Sequence, residues 1–532
     1  MNDVISTTTR TAVGVGGQTD RHRGGLPLQG VSAKGRLDGL LFELLVEQRW
    51  RNASDRVIEA VFTFPVPVRA VLLGLELELG ECRLEAVAIA KRAATERYEE
   101  AIDAGDAAVL LEAVGNGLYT VSVGNLKPGE TAVIRYRHAE LLDANRGLLR
   151  LQVPTVIAPR YGNAADAGLE GPAVPGTDLI AEYRFDLEIV LAGLKDPASL
   201  SSPTHPIRSE ASAEGTVVRL ATSATLDRDF ALEVPQALVP SAALVAQDGE
   251  REWVVVASAV LPDLSATEHR ALALTVVLDS SGSMAGDSIE AAKRAVGRVL
   301  ENLDAADRIA LLRFGSTCCW ETEGLMPASR EHVARLRGQV QKVEADLGGT
   351  EMRQALEAAM RQPAPKGIPA DLLMITDGQV HELNALTGLV AKAHRRLFVV
   401  AVGSAPNEAL ARRLSETTGG ACEFVAPGED IEQPIVRMAR RVREPAYCLS
   451  EVRWPVEPEW TAPLPAAVFS GDTVHLFAGF SAQPSSVAIA TVADGNGEVV
   501  TMQPIALSSI LSNGDTLARV AAARRLAGLE ED

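Results

Sequence analysis

The rhythm of apolar and polar positions changes along the 532-residue chain, and each change predicts a different kind of domain. Residues 1–25 are polar and rich in Gly and Thr, with no periodic apolar face, which predicts a flexible tail. From 26 to 162 short strands dominate. The run 40–46 is mostly apolar, 60–64 alternates, and 119–123 leads into the turn Lys127-Pro128-Gly129-Glu130, after which 132–136 alternates again as a hairpin partner. Residues 91–104 interrupt this pattern with helical spacing, so a β-sandwich-like domain with one helical insert is predicted. Period-two alternation continues in the β region 163–268, where Tyr183, Phe185, Leu187, Ile189 and Leu191 share one face.

From 269 to 444 short apolar strands (271–279, 308–314, 372–376, 397–402) alternate with amphipathic helices (289–303, 331–343, 386–394, 430–442). That rhythm predicts a Rossmann-like α/β domain with a parallel sheet covered by helices on both faces. Strands return over 445–505, with 487–500 broken by the turn Asp494-Gly495-Asn496-Gly497, and 506–532 ends in a helical segment. The expected fold is therefore multidomain α and β. Its α/β unit is inserted into or clasped by β structure, and 445–505 pairs with 163–268 in one sandwich.

Composition then narrows the function. With 47% apolar and 23% charged residues this is an ordinary globular chain. A balance of 51 Lys+Arg against 70 Asp+Glu, a net charge of -19, makes it a poor binder of nucleic acid or of an anionic membrane surface. No apolar run approaches the roughly 20 residues of a membrane span, and the first 25 residues lack the apolar core of a signal peptide. Cys82, Cys318, Cys319, Cys422 and Cys448 are scattered and form no CxxC, so neither a disulfide framework nor a zinc site is indicated. A cytoplasmic location is expected.

Candidate chemistry concentrates where the first buried strand of the α/β domain meets its first helix. There Asp279-Ser280-Ser281-Gly282-Ser283 brings three hard oxygens, those of Asp279, Ser281 and Ser283, into one tight loop. In open parallel sheets the crevice at the carboxyl ends of the strands is where ligands bind. Gly348-Gly349-Thr350 before a helix and Thr376-Asp377-Gly378 after a strand point to the same edge. Oxygen donors without His or Cys select a hard cation, Mg²⁺ first, although the same oxygens accept Mn²⁺ or Ca²⁺. Because most of these donors are neutral hydroxyls, the cation keeps charge to spare for a carboxylate brought by a partner. Taken singly, Ser283 also reads as a helix cap and Asp377 as a turn residue.

The set DSSGSM, GGT and ITDG resembles the metal-ion-dependent adhesion site (MIDAS) of von Willebrand factor type A domains over about 270–444. The resemblance implies Ser281, Ser283 and Thr350 as direct ligands, with Asp279 and Asp377 in the inner or outer shell. FTFPVP (62–67), ATERYEEAIDAGDAAVLLE (94–112), YTVSVGNLKPGE (119–130) and VPTVIAPRY (153–161) resemble the VIT domain of inter-alpha-trypsin inhibitor heavy chains, and LDRDFALE (226–233) resembles that family's strand before the A domain. The cleavage and hyaluronan-coupling sequence of the secreted heavy chains is absent, so the intracellular relatives are the better comparison.

The resemblance implies a non-enzymatic, Mg²⁺-dependent scaffold that captures an acidic residue of a partner protein. His381, four residues past Asp377, keeps a Mg²⁺-dependent hydrolase as an alternative, and a structural scaffold with a vestigial site is another. No GxxxxGK, HExxH or GxSxG motif is present. Arg437, Arg440, Arg441 and Arg443 are expected to complement the dipole at a helix C-terminus.

Overall fold

The computed structural model describes residues 13–14, 28–87, 89–115, 117–145, 147–155, 183–194, 196–235, 243–248, 252–264, 271–380, 382–426, 429–445, 447–484, 487–495, 497–506, 510–511 and 514–531. The expected tail over 1–25 lies outside them apart from Val13–Gly14, which pairs with the strand Ile58–Pro65.

The amino-terminal body stacks antiparallel hairpins whose strands mostly bury alternate residues. In Ile58–Pro65 every second residue is buried, and Phe62 and Phe64 point inward. Phe62 meets Trp50 at 4.4 Å between ring centroids, and Phe64 stacks on Tyr136 at 4.1 Å. Aromatic pairs of this kind stabilise a core beyond their buried area. The helix Lys91–Ala104 lies against the sheet where Gly124 leaves room, since a Cβ there would sit 1.6 Å from Ile102 Cδ1. Tyr98 on this helix is buried and its hydroxyl donates to Glu59 Oε1 at 2.7 Å.

The β region expected over 163–268 divides in the structure. Arg184–Ala192 adds to the amino-terminal sheet, parallel to Leu28–Asp38 with Phe185 opposite Val31 and Leu191 opposite Leu37. Phe230–Pro235 pairs with Leu148–Val153. Among the described residues of this region, Ala243–Asp248 and Glu252–Val260 join the carboxyl-terminal strands, the latter antiparallel to Thr473–Phe480. The cause is the inward row Phe185, Leu187, Ile189 and Leu191, which completes the amino-terminal core. The carboxyl-terminal sandwich closes when Cys448–Arg453, Val487–Ala493 and Val499–Ala506 pack on the other face of that sheet.

Between these halves sits the α/β domain. Its sheet runs Cys318–Trp320, Arg308–Phe314, Ala273–Asp279, Ala370–Thr376, Leu397–Val402, Cys422–Val425, parallel except for Cys318–Trp320 and the short strand Met326–Pro327, which both pair antiparallel with Arg308–Phe314. Ala273–Asp279 is buried at every position, as a central strand covered on both faces must be. Asp287–Glu301 and Glu432–Arg443 cover one face, and Met352–Met360, Leu383–Val390 and Glu408–Thr417 the other. Among the described residues no helix is long and apolar enough to cross a membrane.

Ion pairs, rather than apolar contacts alone, join the three bodies. The guanidinium of Arg441, 1% exposed, donates to Glu423 Oε1 at 2.5 Å and to Asp472 Oδ1 at 2.8 Å, linking the last α/β helix to the carboxyl-terminal sheet. Arg150 holds Glu429 through two bonds of 2.6 and 3.1 Å, and Arg69 bridges Asp143 and Glu416. Three of the four clustered arginines are thus engaged internally, since Arg437 also pairs with Glu423 and Arg443 with Asp307, while Arg440 is exposed in the last turn of the helix. The helix Thr516–Glu531 lays Leu517, Val520 and Ala521 into the amino-terminal core while touching Glu252–Val260, so it clasps both ends of the chain.

Two stability predictions follow from this junction. Arg441→Met leaves Asp472 and Glu423 short of a cation, and loss of one partner from a buried pair costs about 3–5 kcal/mol. Calorimetry is expected to show a clear fall in Tm, and an unchanged Tm would contradict the account. Glu140 lines a cavity of about 60 Å³ at the same junction. Burial, with the Glu408 and Asp143 carboxylates, pushes its carboxyl from 4.5 up to about 8 against the pull of Arg412 and Arg69. The folded chain therefore holds a proton there that the unfolded chain releases, and this group costs stability as pH rises from 4.5 to 8. Glu140→Gln is expected to raise Tm relative to the parent at pH 9 and to leave it nearly equal at pH 4.5. The same Tm difference at both pH values would contradict this.

Candidate metal centre

The carboxyl edge of the parallel sheet gathers all five residues singled out from the sequence. Asp279 ends the central strand and is fully buried. Its Oδ1 accepts from the Ser281 backbone N–H at 2.9 Å, and its Oδ2 accepts from Thr376 Oγ1 at 2.6 Å. Both oxygens are thus engaged, and Asp279 acts as the brace that shapes the loop. The Ser281 and Ser283 hydroxyls are 3.1 Å apart, on a short 3₁₀ turn Gly282–Met284.

Thr350 reaches the same edge because its loop is laced to the serine loop through backbone bonds. Gly282 N–H donates to the Gly348 carbonyl at 2.7 Å, and Leu347 N–H donates to the Ser280 carbonyl at 3.0 Å. Ser316 Oγ accepts from Gly349 N–H at 2.7 Å. Gly348 takes φ +76, and a Cβ there would stand 2.9 Å from Ser316 Oγ, which explains the glycine. Asp377 follows the neighbouring strand Ala370–Thr376. Asn407 fixes its loop by donating to the Gly378 carbonyl at 3.0 Å, while its own backbone N–H donates to the Asp377 carbonyl at 3.1 Å.

Two oxygens in this edge have no hydrogen-bond partner although they are buried: Thr350 Oγ1 and Asp377 Oδ2. Buried polar atoms are normally paired, so each unpaired one calls for a physical reason. The electrostatics give the same sign. Burial and the Asp279 carboxylate push the Asp377 carboxyl up to about 7, and burial pushes Asp279 up as well. A hard cation would answer both observations, because it would neutralise the carboxylates and could be coordinated by the hydroxyls. Among the described residues no three His, Cys, Asp or Glu side chains cluster for a metal, so the donor set here is dominated by hydroxyls.

Ser316 and Asn407 carry this edge without having been singled out from the sequence. Ser316 lies just beyond the strand Arg308–Phe314, and Asn407 caps the helix Glu408–Thr417, accepting from Leu410 N–H at 3.2 Å, a position that an Asn before a helical run signals. Cys318 and Cys319 lie on the edge strand with free thiols. His381, the residue on which the hydrolase alternative depended, lies outside the described residues.

Comparison with known proteins finds two family profiles in the chain. The profile of the vault protein inter-alpha-trypsin (VIT) domain matches residues 28–137, and that of the von Willebrand factor type A domain matches 272–424. The human von Willebrand factor A domain-containing protein 5A is 24% identical over 499 residues, 86% of this chain and 62% of its own length. The mouse von Willebrand factor A domain-containing protein 5B1 is 22% identical, covering 85% of this chain and 45% of its own length. The mouse protein mono-ADP-ribosyltransferase PARP4 is 24% identical over 82% of this chain and 23% of its own length. The chain thus spans less than two thirds of each of these relatives. Among solved structures, a von Willebrand factor type A protein from Catenulispora acidiphila aligns with TM-score 0.35 and 16% identity, over 52% of this chain and 72% of its own. Proximal thread matrix protein 1 from the mussel byssus, with zinc in its MIDAS motif, aligns with TM-score 0.26 and 16% identity, over 35% of this chain and 47% of its own. Residues 28–137 of the chain thus match a VIT domain, and residues 272–424 match a von Willebrand factor type A domain.

Proposed function

We propose that the chain is a non-enzymatic scaffold that binds a partner protein through a divalent cation, Mg²⁺ first, at the carboxyl edge of its α/β sheet. The observation that carries this reading is the pair of buried, unpartnered oxygens, Thr350 Oγ1 and Asp377 Oδ2, beside the Ser281 and Ser283 hydroxyls. Ser281, Ser283 and Thr350 would hold the ion directly, with Asp279 and Asp377 behind or beside them. The ion supplies a Lewis-acidic position that accepts one carboxylate oxygen from the partner. Asp279 orients the serine loop through its bonds to Ser281 and Thr376, and the lacing of 347–349 onto 280–282 keeps Thr350 in place. A cytoplasmic setting suits the five free thiols.

Thr350→Val separates the ligand role from a packing role. Valine matches the shape of threonine and removes an unpaired buried hydroxyl, whose desolvation costs about 1–3 kcal/mol. In EDTA the variant is expected to melt at or above the parent's Tm. In excess Mg²⁺ the parent gains about 2.7 kcal/mol at a hundred times Kd, and the variant gains much less. An equal Mg²⁺ gain in both proteins would remove Thr350 from the site. For the partner, retention from host extract is compared in Mg²⁺, in EDTA and with Asp279→Ala/Ser281→Ala. Proteins retained only with Mg²⁺ and intact ligands are the expected result, and equal retention in all lanes contradicts the reading.

A further inference from the structure

The surroundings of the candidate metal centre have a chemistry of their own. The loops on that edge are 280–287, 315–317, 341–351 and 377–382, and the only Lys or Arg within them is Lys342. Against it stand Asp287, Glu344, Asp346, Glu351 and Glu382, all exposed. The nearest guanidinium on the adjoining strand, Arg313, is already held: it donates to Asp346 Oδ1 at 2.6 Å, to the Glu344 carbonyl at 3.2 Å and to Ser280 Oγ at 3.2 Å. Its charge is matched by that of Asp346, which leaves Asp287, Glu344, Glu351 and Glu382 against Lys342 on this side of the edge.

The opposite side of the edge is closed by the amino-terminal body. The Asp229 backbone N–H donates to the Ser404 carbonyl at 3.0 Å, and Arg150 grips Glu429 beside it. A partner therefore reaches the centre across the acidic side. At the middle of that edge lies Asp377, 2% exposed, with an oxygen that no side chain satisfies.

A bare carboxylate approaching this surface meets like charge within a Debye length of about 8 Å, which slows encounter and weakens docking. A carboxylate embedded among cations meets complementary charge on every side but the metal's. We propose that the partner presents its metal-seeking carboxylate inside a basic segment, with Lys or Arg within a few positions on either side. The acidic loops then act as the specificity filter, rejecting acidic segments that the cation alone would accept. This inference rests on the metal-dependent reading above and adds the identity of the segment it selects.

The test is a displayed peptide library with a fixed central Asp and randomised flanks, selected on the full chain in saturating Mg²⁺ and eluted with EDTA. The expected pool is enriched in Lys and Arg at the flanks. A synthetic peptide from that pool is expected to lose about tenfold or more in affinity when its flanking cations become Glu, and to lose binding when its central Asp becomes Asn. Glu344→Lys/Glu351→Lys/Glu382→Lys, at three exposed positions whose folding circular dichroism verifies, is expected to reverse the flank preference in the same saturating Mg²⁺. EDTA-eluted peptides with neutral or acidic flanks, or a preference unmoved by the triple variant, overturn the filter while leaving the metal-dependent reading standing. Basic peptides that survive EDTA or keep binding with Asn at the centre overturn both, since adhesion would then be to the acidic surface alone. A pool with no enrichment overturns the filter as well.

Discussion

Two carboxylates buried side by side, with no cationic side chain on them among the described residues, are the constraint around which the α/β domain is organised. Isolated charge in a protein interior is costly unless it is paired or coordinates a metal. Asp279 offsets part of that cost with bonds from Ser281 and Thr376, whereas Asp377 keeps one oxygen unsatisfied. The parallel register of Ala273–Asp279 with Ala370–Thr376 makes the arrangement unavoidable, because it ends adjacent strands at the same level and brings their terminal acids together. Under the proposed function, a cation at this edge would turn a liability of the fold into a binding site.

The remaining architecture holds that edge still. The lacing of 280–282 to 347–348 joins the two hydroxyl loops, and Asn407 anchors the third. Behind them, the buried pairs of Arg441 and Arg150 and the more exposed pair of Arg69 with Glu416 tie the domain to the β bodies on both sides. Such pairs specify geometry more than they add stability, because desolvation consumes much of the Coulomb gain. The amino-terminal body also covers one flank of the edge, leaving approach to the metal centre from the acidic flank.

Much of this was legible in the sequence wherever the signal was local. The α/β alternation, the helix at 91–104 and the loops carrying Asp279, Ser281, Ser283, Thr350 and Asp377 all announce themselves by periodicity or by a motif at a strand end. Long-range pairing left no such mark. Nothing local tells that Arg184–Ala192 adds parallel to Leu28–Asp38 while Glu252–Val260 pairs with Thr473–Phe480, since a strand alternating over nine residues fits either sheet. Arg441 reads as a C-terminal helix charge, yet it is the most deeply buried cation of the junction, because its partners Glu423 and Asp472 are distant in sequence from one another. Ser316 escaped for the same reason: its bond to Gly349 joins loops that are separate in the chain.

The most direct test of the central claim is anomalous diffraction from a crystal of the full chain soaked in Mn²⁺, which the same oxygens accept in place of Mg²⁺. The account predicts one strong anomalous peak within coordination distance of Ser281 Oγ, Ser283 Oγ and Thr350 Oγ1, with Asp279 and Asp377 on its protein side. A crystal without anomalous density at this edge, in which Thr350 Oγ1 and Asp377 Oδ2 are satisfied by each other or by water, would contradict it.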